Sequence, residues 1–158
     1  MRPIEVAVSK DADILSGAQY ADAFQLALRG ESLNALTVAQ RAFGRAPRWI
    51  SRLMRLRNFL TGPLGLKPGA ESGATAGKMI GVFPVLDQSA DRIVLGLDDQ
   101  HLDFRLLVDV ADLGLAGQVV TASTLIRTHN ALGRLYLAVV KPFHRIIVPA
   151  MLAQAQRA

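Results

Sequence analysis

Residues 130–156 read NALGRLYLAVVKPFHRIIVPAMLAQAQ, and this stretch decides the fold class. Apolar side chains recur on one side of it at helical spacing, and basic side chains take the opposite side. Asn130 is a suitable N-cap, and a kink or break is expected at Pro142 and at Pro149. The stretch predicts a long amphipathic helix whose inward face carries Leu132, Tyr136, Val139, Val140, Phe143, Ile146 and Ile147.

The residues before this helix are typical of strands. Four predicted strands are separated by short polar turns, at 78–86, 92–97, 101–111 and 118–128. Such turns favour an antiparallel meander. Alternation places one set of side chains on a common face: Leu102, Phe104, Leu106 and Val108, joined by Val120, Ala122, Thr124 and Ile126.

The N-terminal half supplies one more strand and two helices. Residues 20–28 alternate as a strand does, although Asp22 interrupts the pattern. A short helix at 34–44, capped by Asn34 or Thr37 and stopped by Gly44, precedes a second helix from Pro47 to about residue 60. The glycine- and proline-rich residues 61–77 are expected to form a mobile loop inside one domain that spans 1–158.

These elements predict an α+β fold in the order β-α-α-β-β-β-β-α. In this fold a curved antiparallel sheet is closed by the long C-terminal helix. With 158 residues, of which 51% are hydrophobic, the chain can build a sizeable core. No internal repeat is visible.

Composition excludes several classes of function. The chain has no cysteine, which excludes disulfides, thiol catalysis and thiolate metal sites. The first ten residues lack the apolar core of a secretory signal, so a cytoplasmic protein is expected. The long apolar segment at 132–152 contains Arg134, Lys141 and Arg145, which argues against a membrane span and for a core helix.

Charge is segregated along the chain, whose net charge is +5. Residues 32–70 and the residues from 113 onward contain no acid, and acids concentrate between 87 and 112. Arg48, Arg52 and Arg55 share one face of the second predicted helix, where they offer a weak candidate for an anionic membrane surface. A solvated face is the simpler interpretation. Nucleic acid is not expected as a partner, because the aromatic residues occupy apolar periodic positions instead of a stacking surface.

Short motifs along nearly the whole chain resemble a known family. They are Asp22-Ala23-Phe24, Arg48-Trp49, residues 80–85 (IGVFPV), Gly96-Leu97-Asp98-Asp99, residues 101–105 (HLDFR), Arg127-Thr128-His129-Asn130, and above all Gly133-Arg134-Leu135-Tyr136 followed by Lys141-Pro142-Phe143-His144. They are similar to bacterial domain-of-unknown-function family 2867. The element order likewise resembles the helix-grip (SRPBCC-like) architecture of START lipid-transfer domains, polyketide cyclases and birch-pollen-allergen-like proteins.

The resemblance implies a fold and no activity. Helix-grip domains usually have seven strands, against the five predicted here. Related domains occur alone or behind NAD(P)-binding domains. This chain has no recognisable phosphate-cradling motif, so we expect it to bind no dinucleotide or other cofactor.

The three histidines are candidate metal ligands. His101 and His129 are predicted neighbours across a hairpin, where Asp103 would oppose Arg127. A zinc site needs three or four convergent ligands, and only one or two are visible. An ion pair on a polar sheet face is therefore the better interpretation, and no metal is predicted.

Two further side chains suggest a pocket between the sheet and the C-terminal helix. Arg57 lies on the apolar side of the second predicted helix, where it needs a carboxylate or an anion unless the helix ends before it. Tyr136 on the closing helix needs a partner for its hydroxyl, which a protein group would satisfy more simply than a ligand. The candidate pocket residues are Phe104, Tyr136, Phe143, His144, Arg57 and Asp103.

Three functions remain open from the sequence. The first is a module that binds a small apolar or lipid-like molecule in this pocket. The second is an enzyme of cyclase or hydratase type that uses His144, Tyr136 or Asp103 as acid or base. The third is a peripheral protein that acts through its basic helix face. No nucleophilic triad is visible, and the binding module is preferred.

Overall fold

A computed structural model describes residues 1–9, 14–30, 32–48 and 78–156. These residues form an α+β fold with one curved antiparallel sheet and a long C-terminal helix. The strands are β1 Ile4–Val6, β2 Tyr20–Leu28, β3 Met79–Ile80, β4 Phe83–Gln88, β5 Arg92–Asp98, β6 Leu102–Asp112 and β7 Gln118–Thr128. The helices are α1 Ala35–Phe43 and α2 Ala131–Leu152, and a 3₁₀ turn at Ala153–Gln156 follows α2.

The sheet has seven strands in the order β1-β2-β7-β6-β5-β4-β3. Its centre is long and regular: β7 pairs with β6 from Leu102↔Thr128 to Asp112↔Gln118, and with β2 along the whole of β2. Residues that face each other across a ladder share one face of the sheet. Asp22 is paired with Thr124, so both point to the face that α2 covers.

The main core lies between this face and the two helices. It contains Phe24, Leu26 and Leu28 of β2, alternating residues of β5, β6 and β7, and Val148, Met151 and Leu152 near the end of α2. A smaller cluster of Leu15, Val94, Leu107 and Leu125 lies on the opposite face. Both faces of the central strands are therefore partly covered, which is why β6 and β7 carry apolar residues on both parities.

Both helices begin at the predicted caps. The side chain of Asn34 accepts a hydrogen bond from the backbone N–H of Thr37, and α1 ends before Gly44. The side chain of Asn130 accepts from the backbone N–H of Gly133 in the first turn of α2. Each cap satisfies one of the backbone donors that a helix start leaves unpaired.

The predicted inward face of α2 is correct only in part, because four of its seven residues are half-buried and three are exposed. Phe143 is 44% exposed, Val139 53% and Ile146 62%, whereas Val148 and Met151 on another side are buried. The helix is apolar on more than one side, so apolar periodicity could not choose the inner one. Contacts made by Gly133 and His144 determine which side of the helix faces the sheet. Gly133 allows close approach to the backbone of His101, and His144 interacts with the buried Asp22 on β2.

By length and composition, the segment Ala131–Gln156 could cross a membrane. Only 17% of its most apolar part is buried here, although the sequence predicted a core helix. One side of the helix packs on the sheet, and the other side has an exposed apolar stripe.

Other predicted elements need smaller corrections. The strand predicted at 78–86 is divided into β3 and β4 by a turn at Gly81, whose φ of 60° is a conformation that glycine adopts readily. The strand β1 was not predicted. The helix α2 continues through Pro142 and Pro149 without a break. The predicted second helix beyond Arg48 and the predicted loop at 61–77 lie outside the described residues.

Candidate functional site

A buried group of polar side chains lies between β2, β7 and α2, and it consists of Tyr20, Asp22, Thr124 and His144. We call it the polar cluster. The Tyr20 hydroxyl donates to Asp22 Oδ2 at 2.6 Å, and His144 Nδ1 lies 3.1 Å from the same oxygen. The Asp22 side chain is 4% exposed and that of His144 is 13% exposed. The cluster is therefore a nearly dry Tyr–Asp–His network that joins α2 to the sheet.

Local structure explains how the network is placed. Tyr20 and Asp22 are two residues apart on β2, so alternation points both at α2. The Tyr20 ring meets the His144 ring edge-on at a centroid distance of 6.0 Å. The ammonium group of Lys141, one helical turn before His144, lies 5.2 Å from the centre of the Tyr20 ring.

The charges in the network are set by its partners. Burial raises the pKa of Asp22, but the hydrogen bond and charge of His144 and the hydroxyls of Tyr20 and Thr124 outweigh burial, so that its pKa is lowered. Asp22 is thus an anion at neutral pH. Burial, the hydrogen bond to Asp22 and the charge of Asp22 raise the pKa of Tyr20, so its hydroxyl stays protonated.

The ionised carboxylate determines the tautomer of the histidine. An ionised Asp22 can only accept hydrogen bonds, so His144 Nδ1 must donate to it. The other ring nitrogen, Nε2, is then left to accept or donate a proton elsewhere. An Asp–His pair oriented in this way is able to act as a general base or acid.

Two oxygens of the polar cluster lack hydrogen-bond partners in the part of the chain that the structure describes. They are Asp22 Oδ1 and Thr124 Oγ1, both fully buried, on residues paired across β2 and β7. The Thr124 hydroxyl interacts with Asp22 and lowers its pKa, although the contact does not have the geometry of a full hydrogen bond. An unpaired buried polar group costs about 1–3 kcal/mol, so each such atom needs an explanation.

The structure separates the residues that the sequence assigned to one pocket. Phe104 belongs to the α2 side of the sheet, where its ring packs on Phe83 at a centroid distance of 5.4 Å. Asp103, the preceding residue, points to the opposite face, so it cannot share a pocket with Phe104. Tyr136 is half-buried and Phe143 is exposed. Of the predicted site residues, only His144 belongs to the polar cluster.

Asp103 instead takes part in an ion-pair group on the far face. The predicted Asp103–Arg127 pair is confirmed, with Arg127 Nη2 at 2.5 Å from Asp103 Oδ2. His129 Nε2 lies 2.9 Å from Asp103 Oδ1. Burial raises the pKa of Asp103, but His129 and Arg127 outweigh it, so the pKa is lowered. Every carboxylate oxygen is satisfied here, which makes the group a structural brace.

The remaining predicted residues give no further site. Arg57, Arg52 and Arg55 lie outside the described residues, and Arg48 is exposed. Within the described ranges, no three His, Asp or Glu side chains are grouped so that they could hold a metal.

A groove of about 500 Å³ lies where the end of β2, α1 and the turn after α2 meet. Its lining residues are Met1, Ala27, Leu28, Arg29, Gly30, Leu33, Arg41, Ala155 and Gln156. None of the predicted pocket residues and none of the polar cluster lines it. The groove and the polar cluster are thus separate features of the fold.

Sequence reasoning missed Tyr20, Asp22 and Thr124 as site residues. A signal was present for Asp22, because it interrupts an apolar strand at a position whose parity points to the core. Thr124 was placed on the correct face, but no role in a site was predicted for it.

Comparison with known proteins identifies a family and no function. The model of a family described as "Protein of unknown function (DUF2867)" matches residues 14–151. This match confirms the family suggested by the motifs, over most of the chain. No curated protein matches the chain.

Proposed function

We infer the function of this chain, which belongs to the DUF2867 family of proteins of unknown function, from its buried polar cluster. The proposed function is binding of a small, largely apolar molecule between the sheet and α2, with a hydroxyl or amide of that molecule directed at Asp22 and Thr124. The observation that carries the proposal is the pair of neighbouring buried oxygens, Asp22 Oδ1 and Thr124 Oγ1, without partners among the described residues.

The chemistry of the cluster selects the ligand class. Because Asp22 is ionised and accepts only, the bound molecule must offer a hydrogen-bond donor. The same sheet face presents Phe24, Leu106, Ala122 and Ile126 beside Asp22 and Thr124, so the rest of the molecule would be apolar. An apolar alcohol or amide meets both conditions.

We also propose that the chain is related to helix-grip domains and that it is bacterial. A seven-stranded antiparallel sheet covered by a C-terminal helix agrees with that kinship. Lipid-transfer domains belong to the helix-grip architecture, which makes a lipid-like alcohol a natural member of the ligand class.

The orientation of His144 favours an enzyme as the second candidate. With Nδ1 held by Asp22, His144 Nε2 would remove a proton from the bound molecule and return it, as in a cyclase or hydratase. Incubation of the ligand-loaded protein in D₂O tests this candidate. Deuterium should enter a carbon of the ligand with the unaltered protein but not with His144→Gln, and equal labelling by both would exclude His144 as the base.

The binding proposal is tested by native mass spectrometry of the purified protein and of two variants. Thr124→Val removes the buried hydroxyl and keeps the side-chain shape. Thr121→Val, three residues earlier on β7 and on the opposite face, is the matched control. We expect a co-purifying small molecule on the unaltered chain and on Thr121→Val, and at least tenfold lower occupancy on Thr124→Val.

Two outcomes would contradict the proposal. One is the absence of any bound small molecule on the unaltered protein after mild purification. The other is equal occupancy of Thr124→Val and Thr121→Val. In the absence of ligand, the Thr124 hydroxyl lacks a full hydrogen bond, so ligand-free Thr124→Val should remain folded with a thermal midpoint no lower than that of the ligand-free unaltered protein.

A further inference from the structure

The apolar stripe runs along the side of α2 that faces away from the sheet. Its members are exposed and recur every three or four residues, which is the spacing of one helix face. They are Leu135, Ala138, Val139, Pro142, Phe143 and Ile146. At about 1.5 Å per residue the stripe is roughly 16 Å long. Single exposed apolar side chains are common on proteins, whereas a continuous row of them is typical of a docking surface.

The opposite side of α2 is bound to the sheet, which limits how a membrane could meet the helix. Val148, Met151 and Leu152 are buried in the main core. His144 Nδ1 lies 3.1 Å from Asp22 Oδ2 on β2. A helix that spanned a bilayer would remove the first three side chains from the core and separate His144 from Asp22. A bilayer can therefore meet α2 only along the stripe, with the helix axis parallel to the lipid surface.

The charges near the stripe favour a lipid surface over a second copy of the chain. Two of the three cations on α2 are already engaged, since Lys141 lies over the Tyr20 ring and Arg145 binds Glu5. The third, Arg134, is exposed at the start of the stripe. α2 contains no Asp or Glu, so the α2 helix of a second copy would offer Arg134 no opposite charge. The phosphates of lipid headgroups would offer it one.

We propose that the apolar stripe docks on an anionic phospholipid surface, with the stripe at the boundary of the acyl chains and Arg134 among the headgroups. Interfacial helices bind in this way, with the apolar face immersed by about 5–10 Å. The stripe supplies most of the attraction, because one cation near an anionic surface contributes only about a fivefold gain in affinity. The surface is distinct from the polar cluster, which lies on the side of α2 that faces the sheet.

Flotation with lipid vesicles tests the proposal. Vesicles of phosphatidylcholine and phosphatidylglycerol in equal parts should carry the unaltered protein upward in a density gradient at low salt, and vesicles of phosphatidylcholine alone should carry less of it. The double variant Leu135→Gln, Ile146→Gln should bind the mixed vesicles at least about tenfold more weakly, because it removes two apolar side chains from the stripe. The matched control is the double variant Leu113→Gln, Leu115→Gln, which changes two exposed leucines at the turn between β6 and β7 and should bind normally. All four residues are exposed, so both variants should remain folded.

The remaining outcomes decide between occupants of the stripe. Arg134→Gln should weaken binding to the mixed vesicles about fivefold. No flotation of the unaltered protein with mixed vesicles would overturn the proposal, and so would equal flotation of the two double variants. Sedimentation velocity without lipid tests for a second copy, and a dimer that Leu135→Gln, Ile146→Gln disrupts would also overturn it. Thr124→Val should float like the unaltered protein, so this test is independent of ligand binding at the polar cluster.

Discussion

Replacing Leu152 and Phe143 by alanine, one at a time, tests which side of α2 rests on the sheet. Leu152 is fully buried in the main core, at 0% exposure. Removal of a fully buried leucine side chain costs about 2–5 kcal/mol, from lost transfer energy and the cavity left behind. That is a large part of the roughly 5–15 kcal/mol by which a domain is stable.

Phe143 should behave differently, because 44% of it is exposed. Complete burial of a phenylalanine is worth about 1.5–3 kcal/mol, and here only a little more than half is buried. We therefore expect Phe143→Ala to lower the free energy of unfolding by about 1 kcal/mol. The inward face predicted from apolar periodicity alone would instead require about 3–5 kcal/mol, the cost of truncating a buried phenylalanine.

Urea denaturation followed by far-UV circular dichroism at pH 7 measures both losses. The slopes of free energy against urea should agree among the variants, so that shifts in midpoint report stability. Ile146→Ala is the control within the same helix, and at 62% exposure it should cost less than about 1 kcal/mol. A loss in Phe143→Ala equal to or larger than that in Leu152→Ala would refute the helix orientation described here.

Two further predictions concern acid and close packing. Asp22 and Asp103 have pKa values lowered in the fold, so their stabilisation is complete above the unfolded value of about 3.9 and is lost as the pH falls through the lower folded values. The urea concentration at the midpoint of unfolding should therefore decrease as the pH is lowered below about 4. This decrease should be less steep in Asp22→Asn than in the exposed control Asp98→Asn. An equally steep decrease in both variants would contradict the lowered pKa of Asp22. Gly133→Ala would place a Cβ 2.1 Å from the carbonyl oxygen of His101, so it should lower the thermal midpoint by an amount equivalent to about 1–3 kcal/mol, although alanine favours helices. An unchanged or raised midpoint in calorimetry would mean that α2 does not approach the sheet so closely.

Local patterns were sufficient to predict most elements of the fold. β2 and β7 were predicted with their observed bounds, because alternation over many residues specifies a strand strongly. Asn34 and Asn130 marked helix starts for the same local reason, a side chain that caps the first turn. The strand β1 escaped prediction because three residues are too few to show a period.

The orientation of α2 could not be predicted, because it depends on contacts between distant residues. A helix that is apolar on several sides has no single inward face in its own sequence. Two contacts determine the orientation of α2. Gly133 has no side chain and so packs closely against His101, and His144 interacts with Asp22 on β2. Both involve residues far apart in the chain. Phe143 entered the candidate pocket from the predicted face, and its exposure has the same cause.

The polar cluster itself is better explained as a site than as a means of stabilisation. Burying an ionised carboxylate and a histidine costs several kcal/mol in lost hydration, and well-packed apolar residues in such places are often as stable or more so. Tyr20 and His144 offset this cost at Asp22 Oδ2, whereas Oδ1 has no full hydrogen bond from any described group. Asp103 on the other face has partners for both of its oxygens, so the same sheet can satisfy a buried carboxylate completely. The contrast between Asp22 and Asp103 separates a carboxylate poised for a ligand from one that only braces the fold.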